Sequence, residues 1–356
     1  MSKGNILAIV GAQYGSEGKG AIANYLASTG EYGVHVRVGG PNAGHTIFHE
    51  DKKYKMQLIP CGWTYPHSKL VIGRGALIDT EILEREVKMI EKIYPNIRDR
   101  IFIDQYAGIL SPEFKKQEGL TEGELHQRIG STGEGVGAAR IARIQRDPSK
   151  FCLVSDYKGN ELDDFRTIDT IRYLNTVHDS GINILLEGTQ GCGLSLIHGP
   201  WPFVTSSDTN AAQLAVDCGL SPRIINQIML VARTYPIRVA GNSGPMYQEI
   251  DWDVISKKMG KPIEERTTVT DKVRRVGSWD HHLMVRAVEI NRPTSLALTF
   301  LDYYDPREEG KTSYFALRSP ALRFIEYLES ELEVPVRIIK TGEANEHVII
   351  KGSKEW

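Results

Sequence analysis

Two glycine-rich stretches carry the residues whose types and spacing point to chemistry. The first, Gly11-Ala12-Gln13-Tyr14-Gly15-Ser16-Glu17-Gly18-Lys19-Gly20-Ala21, follows an apolar run over residues 6–10 and leads into Ile22-Ala23-Asn24-Tyr25-Leu26. Strand, glycine turn, lysine and helix in that order suit a phosphate cradle. Glycines let the backbone close on an anion, a helix start offers unpaired N–H groups, and Lys19 adds a point charge. The spelling departs from a P-loop, which puts Ser or Thr after the lysine to reach Mg²⁺; Gly20 stands there instead. The same residues also fit a plain strand-to-helix turn with a surface lysine, so this loop alone decides nothing. The second stretch, Val38-Gly39-Gly40-Pro41-Asn42-Ala43-Gly44-His45-Thr46, carries a histidine, a side chain able to give or take a proton near neutral pH.

Both loops need a frame. Short β-rich runs recur at residues 6–10, 34–38, 70–72, 101–103, 182–186, 228–231, 296–301, 336–339 and 347–350, and helical spacing of apolar residues at 82–93, 168–177, 211–218, 280–290 and 320–332. This alternation predicts an α/β fold with a large, mostly parallel central sheet and helices on both faces, as a single domain over residues 1–356. In such a sheet the two glycine loops lie side by side at the carboxyl edge, where ligands bind. Residues 111–148 are polar, glycine-rich and poorly periodic, which reads as functional loops.

With 356 residues, 41% hydrophobic and 25% charged, the chain can bury a substantial core. Lys+Arg 43 against Asp+Glu 45 gives no field that would draw it to nucleic acid or an anionic membrane. Cys61, Cys152, Cys192 and Cys218 are scattered without metal spacing, and no apolar run is long enough to span a bilayer. A cytoplasmic protein with free thiols is expected.

The two loops together resemble those of the adenylosuccinate synthetase family, whose phosphate loop reads like GDEGKGK and whose second loop ends in NAGHT. The likeness continues through Ser131-Thr132-Gly133-Glu134-Gly135-Val136-Gly137, Glu187-Gly188-Thr189-Gln190-Gly191, the stretch 198–207, Arg274-Arg275-Val276-Gly277 and Leu298-Thr299-Phe300-Leu301-Asp302. It implies an enzyme that joins the amino group of aspartate to C6 of a purine nucleotide, using Mg²⁺ and a nucleoside triphosphate. The 6-oxo oxygen is phosphorylated first, and aspartate then displaces phosphate, chemistry that rests on positioning and charge neutralisation.

Carried over residue by residue, the resemblance implies a triphosphate site at Gly15, Ser16, Glu17, Gly18, Lys19, Gly20, Gly44, His45, Thr46, Asp302 and Gly342. It implies a nucleotide monophosphate site at Ser16, Asn42, Ala43, Ser131, Thr132, Gln190, Thr205 and Val239, with Arg146 reaching that phosphate across a homodimer. Thr267, Thr268, Val269, Thr270 and Arg274 would take the carboxylates of aspartate, although Lys272 stands where an arginine fork is expected. Ser16, Lys19, His45 and Gln190 fall at catalytic positions and Ser16 and Gly44 at those of the metal, with a cationic His45 neutralising charge on the 6-oxo and phosphoryl oxygens.

The departures sharpen the reading. Before Glu17 the family has an aspartate that takes the purine N1 proton and helps bind Mg²⁺; this chain has Ser16. A hydroxyl is a poor base near pH 7 and a weaker Mg²⁺ ligand than a carboxylate. A dead enzyme, a relocated base (Glu17, Asp51 or a metal-bound water) and a changed substrate are the three explanations. The third explains the exchange itself, because a carboxylate beside N1 crowds C2, where guanine carries an amino group. The chain thereby resembles the viral branch that acts on dGMP to make a 2-aminoadenine precursor; activity on IMP, or a catalytically dead nucleotide-binding homologue, are the alternatives. Where the family reads TKLD at the donor-base strand end, this chain has Phe300 for the lysine, which favours ATP or dATP over GTP, though Phe300 also reads as core and Asp302 still suits guanine. Lys340-Thr341-Gly342 resembles the segment that closes over the donor base, with Lys340 in place of a serine.

Overall fold

The apolar run at residues 6–10 becomes the middle of a wide sheet. The computed structural model describes residues 2–119, 124–267 and 271–352. Among these, ten strands form the main sheet: β1 (Ile6–Gly11), β2 (Val34–Arg37), β3 (Lys69–Ile72), β4 (Ile101–Asp104), β5 (Arg166–Ile168), β6 (Ile184–Glu187), β7 (Gln227–Arg233), β8 (Ser295–Thr299), β9 (Val336–Lys340) and β10 (Val348–Ile350). Their order is β10-β9-β8-β7-β1-β6-β2-β3-β4-β5, and every neighbouring pair is parallel except β9 with β10. The carboxyl ends of β1, β2, β6, β7, β8 and β9 therefore open on one edge.

Both faces of β1 are covered, which is why it reads as an unbroken apolar run rather than an alternating one. Leu7 and Ile9 join one core with the helices Lys19–Ser28 and Thr80–Glu91, while Ile6, Ala8 and Val10 join the opposite core with Thr170–Asp179, Ala211–Cys218, His281–Asn291 and Ser319–Leu332. The helix at Thr80–Glu91 starts one residue after Asp79, whose carboxylate accepts the Ile82 N–H at 3.0 Å, a cap worth about 1 kcal/mol. No helix among the described residues is long and apolar enough to cross a membrane.

Three expectations are corrected. Residues 111–148 are not all loop: they hold the helices Pro112–Glu118, Glu124–Ile129 and Val136–Gln145. The first two are too short to show a period, and the third packs through Val136, Ala139 and Ala142 on Leu77, Leu110 and Phe114, small side chains that leave a weak apolar signal. β5 was not expected, because an edge strand with Arg166 and Thr167 exposed carries no apolar run. The strand expected at 296–301 ends at Thr299, and Phe300 turns into the left-handed region (φ 57) to start the short helix Leu301–Tyr304.

β2 carries polar side chains where apolar ones are usual. His35 is completely buried, and burial pushes its pKa down to about 4, with Arg100 adding to the shift and Glu187 and the Tyr32 backbone opposing it. An unfolded histidine titrates near 6.5, so between pH 6.5 and about 4 the unfolded chain binds the extra proton and stability is lost as pH falls. The thermal midpoint should drop through that window, and His35→Leu should flatten the drop; an unchanged slope in the variant would assign the acid sensitivity elsewhere.

Candidate active site

The phosphate loop folds around its own carboxylate. Glu17 is fully buried; its Oε1 accepts the N–H of Gln13 (3.0 Å) and of Gly15 (2.8 Å), and its Oε2 pairs with Lys19 Nζ at 2.6 Å. Gly15 and Gly18 sit at φ 87 and 92, values only glycine takes freely, and Ser16 is held at φ 57 between them. Thr299 Oγ1, at the end of β8, donates to the Glu17 carbonyl at 2.6 Å and fastens the loop to the sheet edge. Both Glu17 oxygens are thus engaged in organising the loop, and Asp51 is exposed at a hairpin tip, lining neither of the cavities described below.

The missing hydroxyl after Lys19 has a steric cause. A Cβ on Gly20 would lie 2.6 Å from His45 Cβ and 3.1 Å from Cys61 Sγ, so the place of a P-loop serine is filled by the histidine. His45 is not in a loop, as expected, but opens the hairpin strand His45–His49, paired with Lys52–Met56. Its Nδ1 lies 2.5 Å from Glu187 Oε1 at the end of β6, and Arg37, at the end of β2, bonds the same Glu187 oxygen at 2.8 Å and the Ala43 carbonyl at 2.7 Å. Glu187 Oε2 accepts the Cys61 N–H at 2.7 Å.

Donor atoms of His45, Cys61 and Glu187 lie within 4.8 Å of one another, a spacing that would suit a metal ion. Arg37 Nη1 already stands among them, 3.1, 3.9 and 2.8 Å from the respective atoms, so a guanidinium supplies the positive charge and no ion is needed. Burial pushes the Glu187 carboxyl up, but Arg37 and His45 outweigh it and hold it at about 2. Burial, followed by Arg37, brings His45 down to about 4 against the pull of Glu187. Burial and Arg37 therefore favour the neutral imidazole in the resting site. With Nδ1–H donated to a carboxylate, its other ring nitrogen carries a lone pair.

Two cavities, of about 520 and 570 Å³, open on either side of this machinery. Ser16, Lys19, Gly44, His45 and Arg274 line both. The first also collects Gly15, Asn42, Ala43, Ser131, Thr132, Gln190, Thr205, Val239 and Thr267, and the second Glu17, Gly18, Gly20, Thr46, Asp302 and Gly342. Asn42 Oδ1 is buried without a hydrogen-bond partner, the state of a group that waits for a ligand. Arg146 lies exposed at the end of its helix and reaches neither cavity of its own chain. Thr268, Val269 and Thr270 fall outside the described residues. Ser16 and Gly44 line both cavities; the neutral oxygens of a hydroxyl and a backbone carbonyl suit Mg²⁺ beside a triphosphate, since the ion keeps phosphate oxygens and waters as most of its ligands.

The far end of the second cavity is distinctive. Phe300 is half-buried and lines the cavity instead of joining the core, with its ring 3.9 Å from the Arg233 guanidinium. Burial, with Glu309 adding to it, raises Asp302 to about 6, and burial lowers Lys340 to about 8.

Comparison with known proteins decides the family. The sequence profile described as Adenylosuccinate synthetase matches residues 8–164 and 157–312. The chain belongs to the adenylosuccinate synthetase family. Among its relatives, the adenylosuccinate synthetase of Methanocaldococcus jannaschii is 39% identical over 336 residues, covering 94% of this chain and 93% of the relative. That of Methanococcus aeolicus is 37% identical over 338 residues, covering 94% and 96%. In fold, the fully ligated adenylosuccinate synthetase of Plasmodium falciparum superposes with a TM-score of 0.85 at 24% identity, covering 98% of this chain and 100% of that one. The cyanophage S-2L succinoaminodeoxyadenylate synthetase (PurZ), bound to dGMP and dATP as an energy donor, superposes with a TM-score of 0.82 at 29% identity, covering 99% and 96%. As an adenylosuccinate synthetase homologue the chain is a carbon–nitrogen ligase joining aspartate to a purine nucleotide, and the family uses Mg²⁺ and a nucleoside triphosphate.

Several residues in or behind this site escape a motif search: Arg37 and Arg233, which line neither cavity, and Arg238, which lines the first, with its cation–π partner Tyr14 at 4.2 Å. Their signal lay in the strands, since Arg37 closes Val34-His35-Val36-Arg37 and Arg233 closes Met229-Leu230-Val231-Ala232-Arg233, charges ending runs whose other side chains are buried. A charge in such a place needs a partner or a task.

Proposed function

We propose that this ligase takes dGMP as its acceptor and ATP or dATP as its phosphate donor, giving N6-succino-2-amino-2′-deoxyadenylate. The carrying observation is Ser16, a short neutral side chain at the border of the two cavities where the family has an aspartate. The first cavity is the acceptor site, where Asn42, Ala43, Ser131, Thr132, Gln190, Thr205 and Val239 hold the monophosphate and sugar. A second copy of the chain contributes Arg146; exposed Ile141 and Ile144 on the same helix support a homodimer through that face. The second cavity is the donor site, and Thr267 to Thr270 with Arg274 take aspartate.

With Glu17 and Asp51 set aside, neutral His45 is the proton acceptor at the border. The γ-phosphoryl group leaves its bridging oxygen and bonds to O6 of guanine, the N1 proton leaves the base, and His45 accepts it. The imidazolium formed is paired with Glu187 and neutralises charge on the transferred group, the role the family resemblance gave to a cationic histidine. Lys19 holds the phosphates, and Mg²⁺ bound at Ser16 and Gly44 would add charge neutralisation there. The amine of aspartate then bonds to C6, the C6–O6 bond breaks, and phosphate departs with the proton the amine gives up. The dATP and dGMP of the cyanophage enzyme support this choice of nucleotides, and the relatives described as adenylosuccinate synthetases support the rival reading, an ordinary synthetase of that family. Phosphate release dependent on aspartate, measured with dGMP and with IMP against ATP, dATP and GTP, tests it; turnover of IMP but not dGMP would overturn it.

A further inference from the structure

Arg233 lines neither cavity but bonds to residues that do. It ends β7 with a side chain wholly out of solvent, and its Nη1 donates to the Ser16 carbonyl at 3.2 Å and to Glu265 Oε2 at 3.1 Å. Its Nη2 pairs with Glu265 Oε1, and its guanidinium lies against the Phe300 ring. Ser16 borders both cavities, whereas Phe300 and Glu265 line only the second. The Arg233 backbone is itself clamped by Gln13, which takes its N–H and gives to its carbonyl, both at 3.0 Å.

The geometry is stiff in a way that matters. A guanidinium is flat and forked, so it cannot swing to follow Ser16 without leaving the Glu265 fork or the face of Phe300. Ser16 stands at φ 57, a conformation a side-chain-bearing residue keeps only when its surroundings hold it, and the bond to its carbonyl is one of the holds. A lysine at position 300 would put an ammonium beside this guanidinium; an aromatic ring is attracted to it instead.

We propose that Arg233 is a positioning residue that couples the two nucleotide sites, fixing with one side chain both the Ser16 backbone beside the acceptor base and the Phe300 ring that receives the donor base. This rests on the assignment of the cavities to acceptor and donor made above. Because the guanidinium cannot follow one partner without leaving the other, a nucleotide that fixes Ser16 or Phe300 also sets the second site through it, and by linkage the two nucleotides change each other's affinity by the same factor.

Calorimetric titration of dGMP and of the β,γ-imido analogue of ATP with Mg²⁺, each alone and each with the other saturating, tests this without requiring turnover. Wild-type protein should show mutual tightening of about five-fold or more, equal in both directions. Arg233→Lys, which keeps the charge but not the plane, and Phe300→Leu should each bring the factor close to one while both nucleotides still bind. Arg233→Gln should do the same, and if it fails to fold the other two variants carry the test. Coupling that survives in Arg233→Lys and Phe300→Leu, or wild-type protein that binds both nucleotides independently, overturns the inference and leaves the function standing. Wild-type protein that binds neither nucleotide overturns both.

Discussion

With His45 replaced by asparagine, kcat for aspartate-dependent phosphate release is expected to fall by about 10²–10⁴-fold, the range for losing a positioned acid–base group. The KM values for both nucleotides should stay within a few-fold, because the ring sits at the reacting centre and most of each cavity is built by other residues. Glu187→Gln should lower kcat as well, by about 10–10²-fold, since the amide still fills the place beside Nδ1 but no longer stabilises the imidazolium. It also leaves Arg37 buried without its carboxylate, a break that costs about 3–5 kcal/mol, so its rates are to be read well below its own melting temperature. A His45→Asn protein that kept its kcat would end the assignment of the proton to this residue.

Restoring a carboxylate at position 16 is expected to turn the acceptor preference round. Ser16→Asp should lower kcat/KM for dGMP and raise it for IMP, changing their ratio by about 10²-fold or more, because the 2-amino group loses its room while N1 gains a base. The substitution is mild for the backbone, as aspartate tolerates the left-handed region that Ser16 occupies. The loop's own amides are already committed to Glu17, so the new carboxylate has no reason to refold it. A crystal with dGMP supplies the direct check: the exocyclic nitrogen should lie about 3 Å from Ser16 Oγ. An unchanged ratio between the acceptors would show that another part of the pocket reads C2.

The strands of the main sheet were largely legible because burial on both faces turns them into short apolar runs, and the helices that cover them keep a clear period. What stayed hidden was small or exposed: β5 at the edge, the hairpin His45–His49 with Lys52–Met56, whose second strand exposes three lysines, and the alanine-lined helix Val136–Gln145. The site showed the same division. Glycines and the histidine advertise themselves by type and neighbourhood. Arg37 and Glu187 act on His45 from β2 and β6, and only the strand order β6-β2 brings a residue 142 positions away to the same imidazole. The pull on that ring's charge was hidden for the same reason, since a sequence does not tell how deeply it is buried or that a guanidinium stands beside it.

The bare Cα at position 20 has a consequence for what this architecture can become. Its empty space is where the imidazole docks, so the loop cannot acquire the hydroxyl of a nucleotide switch and keep its proton carrier. On the mechanism proposed above, triphosphate cleavage is thereby tied to a nearby nucleobase oxygen rather than offered to water, and a side chain at position 20 would displace the histidine before it gave a GTPase-like loop.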